Sequence, residues 1–439
     1  MKRPDGVGAR KRRMARPASA RRSWRKILRR VGPGIVTGAS DDDPSGIGTY
    51  SQVGAQFGFG MLWTMLFTLP LMSSVQEASA LIGRATGHGL ATNIRKYHPG
   101  WLVYPLVVAL VVANFINIGA DLGAMGAGMT LVVGGPAIIW VMLFGVVCVL
   151  AELFIPYHRY SSVLKWLTLS LLAYVGTVLV VHLDWRSAII STFVPRISFN
   201  KDTLIAIVAV LGTTISPYLF FWQASQEVEE ITVDPASQPL VDDPPEAINE
   251  VLRIKLDTYG GMFASNLIAW FIIASTGATL FVAGVHDIDS ANKAAEALTP
   301  IAGRFGGALF ALGIIATGLL AIPVLAGSAA FGVAESFRWR ASLEEPPKRE
   351  HGFYGVIIVG VLIGIFINFI GVNPIHALIW TAVINAVVAP PLIAIVMLMA
   401  GSKRVMGETR AGIGVRIIGW ITVAVMSLAV VGMFWSFAS

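Results

Sequence analysis

Charged side chains are scarce in this sequence. Asp, Glu, Lys and Arg make up 13% of its 439 residues, against about 25% in soluble domains. A chain this short of charge cannot coat a globule of its size with polar surface, which argues against an ordinary soluble enzyme or binding module. Cysteine is almost absent. The single Cys148 sits in an apolar run, so an intrachain disulfide and a cysteine-based metal cluster are both excluded, and the residue reads as core packing. The longest polar connection is 226–250, acidic and proline-rich, and too short for a separate soluble domain. No glycine-rich turn is followed by a lysine and a hydroxyl residue, which excludes a nucleotide-binding P-loop, and no His-Glu-x-x-His is present. The Gly-x-Gly-Asp pattern of intramembrane aspartyl proteases is missing too; the chain has Gly119-Ala120-Asp121. The histidines lie near predicted helix ends or in loops, without a helical metal-ligand spacing. These absences leave no enzyme chemistry in view.

What the chain has is apolar length. Hydrophobic residues reach 55% and mean hydropathy is +0.69. A membrane-spanning helix needs about 20 mostly apolar residues. Eleven segments qualify, roughly 33–56, 57–83, 101–130, 132–155, 163–183, 203–227, 253–284, 305–336, 351–371, 374–401 and 413–437. With the amino terminus inside and sides alternating, the outside holds only Arg186, Arg196, Lys201, Lys293 and Arg304, and the other 28 of 33 Lys and Arg fall inside. That asymmetry predicts a multi-pass inner-membrane protein with a cytoplasmic amino terminus and an external carboxyl terminus. The basic stretch 1–30 runs directly into the first apolar segment. It reads as a cytoplasmic anchor on the lipid surface rather than a nucleic-acid arm or a cleaved signal. Glycines at small-xxx-small intervals, such as Gly119, Gly123 and Gly126, read as close helix packing.

The membrane pattern breaks in two places. The first segment contains Asp41, Asp42 and Asp43, followed by Pro44, Ser45 and Gly46. Proline removes a backbone donor and pushes the preceding residue out of the helical region. That residue is Asp43, so the sequence predicts an unwound point carrying a carboxylate. Unwound backbone at membrane depth survives only inside protein or beside a cavity, where freed carbonyls such as that of Ser40 become hard oxygen ligands. The sixth segment breaks at Gly212, Thr213, Thr214, Ser216 and Pro217. Segments one and six each open a five-helix set. Paired broken helices in two halves point to an inverted-repeat transporter with its site near the midplane. The alternative is a pair of ordinary proline kinks.

Charged residues within a span are costly and therefore functional candidates. Neighbouring helical residues point about 100° apart, so three consecutive aspartates cannot all face one ion. Asp43 is the predicted ligand. Asp41 and Asp42 are assigned to the vestibule or to contacts with other helices. Asp42, Asp121, Gln223 and Asn385 are candidates for places behind the ligands. Glu77, Glu152 and Asn266 read more simply as structural hydrogen-bonding groups. An amino-acid transporter on the same plan would present backbone donors at the first break, and an aspartate there would repel the substrate carboxylate, so a cation is favoured.

These residues resemble the Nramp family of divalent metal transporters, and the resemblance covers nearly the whole chain. It includes Asp-Pro-Ser-Gly at 43–46 where the family carries Asp-Pro-Gly-Asn. It also includes Gln76 to Ala91, Ala120-Asp121-Leu122, Gly212 to Pro217, Asp257 with Asn266, and Lys403 to Gly407. The resemblance implies an all-helical LeuT-like fold and cation transport by alternating access. It divides the chain into the tail, repeat one at about 31–185, repeat two at about 200–401, and an extra helix at about 413–437. The implied metal site comprises Asp43, Ser40, Gly46, Thr213 and Ser216.

Three departures from the family pattern bear on chemistry. Ser216 replaces a methionine, exchanging a soft thioether for a hard hydroxyl, and hard oxygens suit magnesium. Gly46 replaces an asparagine, which is expected to leave volume for water. Tyr218 and Ala124 stand where the family has a histidine and a glutamate resembling a proton route. A phenol with a reference pKa of about 10 does not replace an imidazole near 6.5 as a proton carrier. The pattern resembles the magnesium-transporting branch related to Nramp. The expectation is Mg²⁺, with Mn²⁺ also accepted, moving partly hydrated and without proton coupling. In this reading the ion is substrate; no cofactor and no obligatory protein partner are implied. The rival is a proton-coupled Mn²⁺ or Fe²⁺ importer.

Overall fold

The computed structural model describes residues 33–155, 166, 168–181, 183–198, 200–233, 237–242, 247–343, 345 and 347–438. Its first span is two short helices, α1 (Pro33–Asp41) and α2 (Pro44–Phe57). Pro44 occupies the first turn of α2, where its fixed φ suits a helix start and its missing N–H costs nothing. Asp43 is accordingly extended, with φ −68° and ψ 171°.

Four helices complete the first half: α3 (Trp63–Thr86), α4 (Val103–Val133), α5 (Ala137–Phe154) and the shorter α6 (Leu172–Val180). The second half opens with another broken span, α7 (Lys201–Thr214) and α8 (Pro217–Val233). It continues through α9 (Ala247–Thr276), α10 (Gly306–Phe337), α11 (His351–Ile367) and α12 (Pro374–Gly401), and α13 (Ile413–Ala438) closes the chain.

Among the described residues, nine helical stretches are long and apolar enough to cross a membrane. They correspond to all the predicted spans except the first and the fifth. The first divides into pieces of 9 and 14 residues, each too short alone, because proline and the aspartates interrupt it. The fifth, predicted at 163–183, is represented by an apolar helix at Leu169–Val180, and its first residues lie outside the described set. A count of eleven therefore does not follow from these helices. The basic tail at 1–30 also lies outside the described residues.

The broken helices sit centrally. The α1 half-helix packs along α9, α7 packs along α12, and the longest shared face joins α4 to α10. Glycine makes two of these approaches possible. A Cβ on Gly38 would stand 2.5 Å from the Gly261 backbone, and one on Gly212 would stand 1.8 Å from the Ala382 carbonyl. Asp257 on α9 accepts from the Gly34 amide at 2.6 Å, so its carboxylate satisfies a free donor in the first turn of α1. Nearby, Arg253 bridges Glu227 and Glu250, and Arg84 reaches Glu250 at 3.4 Å. This ionic cluster ties α3, α8 and α9 together.

Candidate metal site

The two breaks lie side by side, and the Asp43 carboxylate lies where they meet. It is 1% exposed. Its Oδ1 caps α2, accepting from the Gly46 amide and from the Ser45 hydroxyl, both at 2.7 Å. Its Oδ2 accepts from Asn117 Nδ2 at 3.1 Å and lies 3.4 Å from the Tyr218 hydroxyl. That hydroxyl is also 3.1 Å from the Ser40 carbonyl, so its one proton has two acceptors in reach. Every partner of Asp43 is neutral, and it joins no ion pair among the described residues. A buried carboxylate without a countercharge is expensive, and a cation beside it offsets that cost.

The other aspartates turn away. Ser265 on α9 donates toward Asp41 Oδ2 at 2.7 Å and Asp42 Oδ1 at 3.1 Å. Both side chains therefore face α9, while Asp43 faces α4 and α8. Asp121 is fully buried one turn beyond Asn117 on α4, near the Ser45 backbone. Gln223 on α8 accepts from the Thr37 hydroxyl and so links α8 to α1 across the breaks. The Asn385 amide on α12 is buried with no hydrogen-bond partner for either atom. It sits next to Ala386, whose amide borders Gly212.

Ser216 and Thr213 hold the second break. The Ser216 hydroxyl lies 2.8 Å from the Gly212 carbonyl and 2.9 Å from the Thr213 carbonyl, donating back into the end of α7. The one Ser216 hydroxyl proton is thus shared between the Gly212 and Thr213 carbonyls, and the Thr213 hydroxyl reaches toward Gly46. Gly46 itself differs from expectation in two respects. Its N–H points to Asp43, so it supports the carboxylate as a donor. The space beside it is also narrow: a Cβ there would stand 3.2 Å from the Asp41 carbonyl and 3.4 Å from both the Thr213 hydroxyl and the Tyr50 ring. The expected extra volume at this position is not found, because α7 and Tyr50 close in on the missing side chain.

Asn117 escaped the sequence analysis. Its signal was its place four residues before Asp121, which puts both on one face of α4, but asparagine carries no charge to mark it. Tyr218, which the sequence marks only as standing at an expected histidine position, lies within reach of both Asp43 and the Ser40 carbonyl. Asn266 donates to Thr68 and Met72, an interhelical bond of the structural kind. Among the described residues no group of three or more His, Cys, Asp or Glu side chains converges as a metal cluster. A cation here would meet one carboxylate and neutral oxygens.

A family model described as natural resistance-associated macrophage protein-like, Nramp, matches residues 34–436. The chain belongs to the Nramp family. It is similar to the divalent metal cation transporter MntH of Deinococcus radiodurans, 24% identical over 426 residues, covering 94% of this chain and 91% of that one. The MntH of Acidiphilium cryptum is 23% identical over 392 residues, covering 86% and 83%. Among solved structures, the Eremococcus coleocola manganese transporter superposes with a TM-score of 0.74 at 16% identity, covering 95% of this chain and 88% of that one. MhsT, solved with L-phenylalanine, gives 0.64 at 14% identity, covering 91% and 98%. These likenesses show a LeuT-like fold. Within the Nramp frame, this chain is a multi-pass membrane protein.

Proposed function

We propose that this Nramp-family chain transports a divalent metal cation, preferentially Mg²⁺ with Mn²⁺ also accepted. The ion moves partly hydrated, by alternating access, without proton coupling. The protein resides in the cell inner membrane with its amino terminus cytoplasmic and its carboxyl terminus outside. The observation that carries this reading is the Asp43 carboxylate, buried between the two breaks and partnered only by neutral oxygen and nitrogen groups. One carboxylate with hydroxyls, carbonyls and amides is a hard donor set. Mg²⁺ takes few protein ligands and keeps several waters. The unpartnered Asn385 amide is a group such waters would satisfy. The relatives named as MntH support divalent metal transport as the general activity.

Asp121 favours a second reading. A buried carboxylate one turn from Asn117 is a place for a proton, and proton-coupled Mn²⁺ or Fe²⁺ import would use one. Proteoliposomes containing a pH-sensitive dye separate the two. Mg²⁺ and Mn²⁺ entry is expected to leave internal pH unchanged, and acidification that tracks Mn²⁺ entry would sink the uncoupled reading.

Ser216→Met tests the hardness of the site. A thioether in place of the hydroxyl is expected to raise Cd²⁺ uptake relative to Mg²⁺ by about tenfold. Competition uptake measures that ratio, and an unchanged value would remove position 216 from contact with the ion.

A further inference from the structure

At the end of α12 and the start of α13, an open groove of about 730 Å³ lies between the two helices. Its walls are apolar and largely exposed, with Leu398, Ile413, Ile417 and Ile421 along its length. One charged residue lines it, Arg416, beside Ser402 and Trp420. The arginine lies across Gly401, where a Cβ would stand 3.3 Å from its Cδ and 3.7 Å from its Nη1.

Arg416 has no protein counterion among the described residues, and its Nε is buried without a hydrogen-bond partner. The neighbouring cations are engaged elsewhere. Lys403 contacts Glu408 at 2.6 Å and holds that carboxyl below the usual carboxylate range. Arg404 lies over the Tyr97 ring at 6.0 Å. A guanidinium presents a planar fork of donors matched to phosphate oxygens. Trp420, one turn further along α13, is a residue type enriched at the boundary between lipid tails and water. A free inorganic anion would use the arginine but leave the apolar walls unexplained. A phospholipid uses both.

We propose that this groove binds an anionic phospholipid, with its phosphate on Arg416 and Ser402 and an acyl chain laid along Ile417, Ile421 and Leu398. Basic pockets between membrane helices bind lipid head groups by this combination of charge and apolar length. The negative net charge of the lipid complements the surplus of Lys and Arg where α12 ends and α13 begins.

The full-length protein, reconstituted in nanodiscs of equal phosphatidylglycerol and phosphatidylcholine and then extracted, tests this by mass spectrometry of the retained lipid. Wild type is expected to retain phosphatidylglycerol over phosphatidylcholine by about fivefold, and Arg416→Gln to lose that preference. Lys403→Gln removes a neighbouring charge and is expected to keep it. Leu398→Trp leaves the charge intact but fills the groove, and is expected to reduce retention of both lipids. Gel filtration and thermal unfolding confirm that each variant is folded. Arg416→Gln retaining the wild-type ratio would overturn the proposal. So would an equal loss in Lys403→Gln, which would mean diffuse surface charge, or displacement of the lipid by millimolar inorganic phosphate.

Discussion

Asp43→Asn is expected to abolish Mg²⁺ and Mn²⁺ binding, with calorimetric affinity falling by about 100-fold or more, because the carboxylate among the gathered donors is lost. The same change is expected to stabilise the metal-free protein. Asp43 is buried and its partners are neutral, so the ionised carboxylate is uncompensated until a cation arrives. Asparagine keeps an oxygen for Gly46 and Ser45 and removes the charge. Thermal unfolding in detergent separates these effects. With Mg²⁺ at 100 times its Kd, wild type gains about 2.7 kcal/mol by mass action, and the variant gains nothing. A variant that still gained stability from Mg²⁺ would place the ion elsewhere, and with it the proposed function.

Gly212→Val is the second large effect. A Cβ at residue 212 would stand 1.8 Å from the Ala382 carbonyl and 2.7 Å from the Ala386 amide. These are backbone atoms of α12, which cannot rotate aside, so α7 must move away from α12. Overpacking of this kind costs about 1–3 kcal/mol. The displacement acts on the next residue, Thr213, and on the Gly212 carbonyl that receives the Ser216 hydroxyl. Uptake in proteoliposomes is therefore expected to fall by more than about tenfold even where the variant folds, judged by its gel-filtration profile and melting temperature. Wild-type transport by Gly212→Val would mean that the contact between α7 and α12 does not hold the second break in position.

Much of this arrangement was legible in the sequence for direct reasons. A spanning helix must satisfy its own backbone, so long apolar runs become helices, and nine of the predicted spans do so. A proline after an aspartate forces extended backbone at that aspartate, and Asp43 is extended. Pro217 predicts the second break in the same way, and α7 stops at Thr214 just before it. Asn117 was not legible because nothing local distinguishes a polar residue that faces a site from one that binds a neighbouring helix. Asn114, three residues earlier on the same helix, does the latter through Leu325 and Ser328. The space at Gly46 was misjudged for a related reason. A missing side chain leaves room only if the neighbours stay back, and Thr213 and Tyr50 do not.

By itself the sequence determined that the chain is helical and membrane-embedded, that two of its spans are interrupted, and that a carboxylate sits at one interruption. Apolar length, proline and charge are local properties, and they act within a few residues of where they are written. Only the tertiary structure decided which partners each aspartate meets. Ser265 draws Asp41 and Asp42 toward α9 from more than 220 residues away, while Asn117 and Tyr218 reach Asp43 from 74 and 175 residues away. Those partners are set by how the helices pack, and packing is a property of the whole chain.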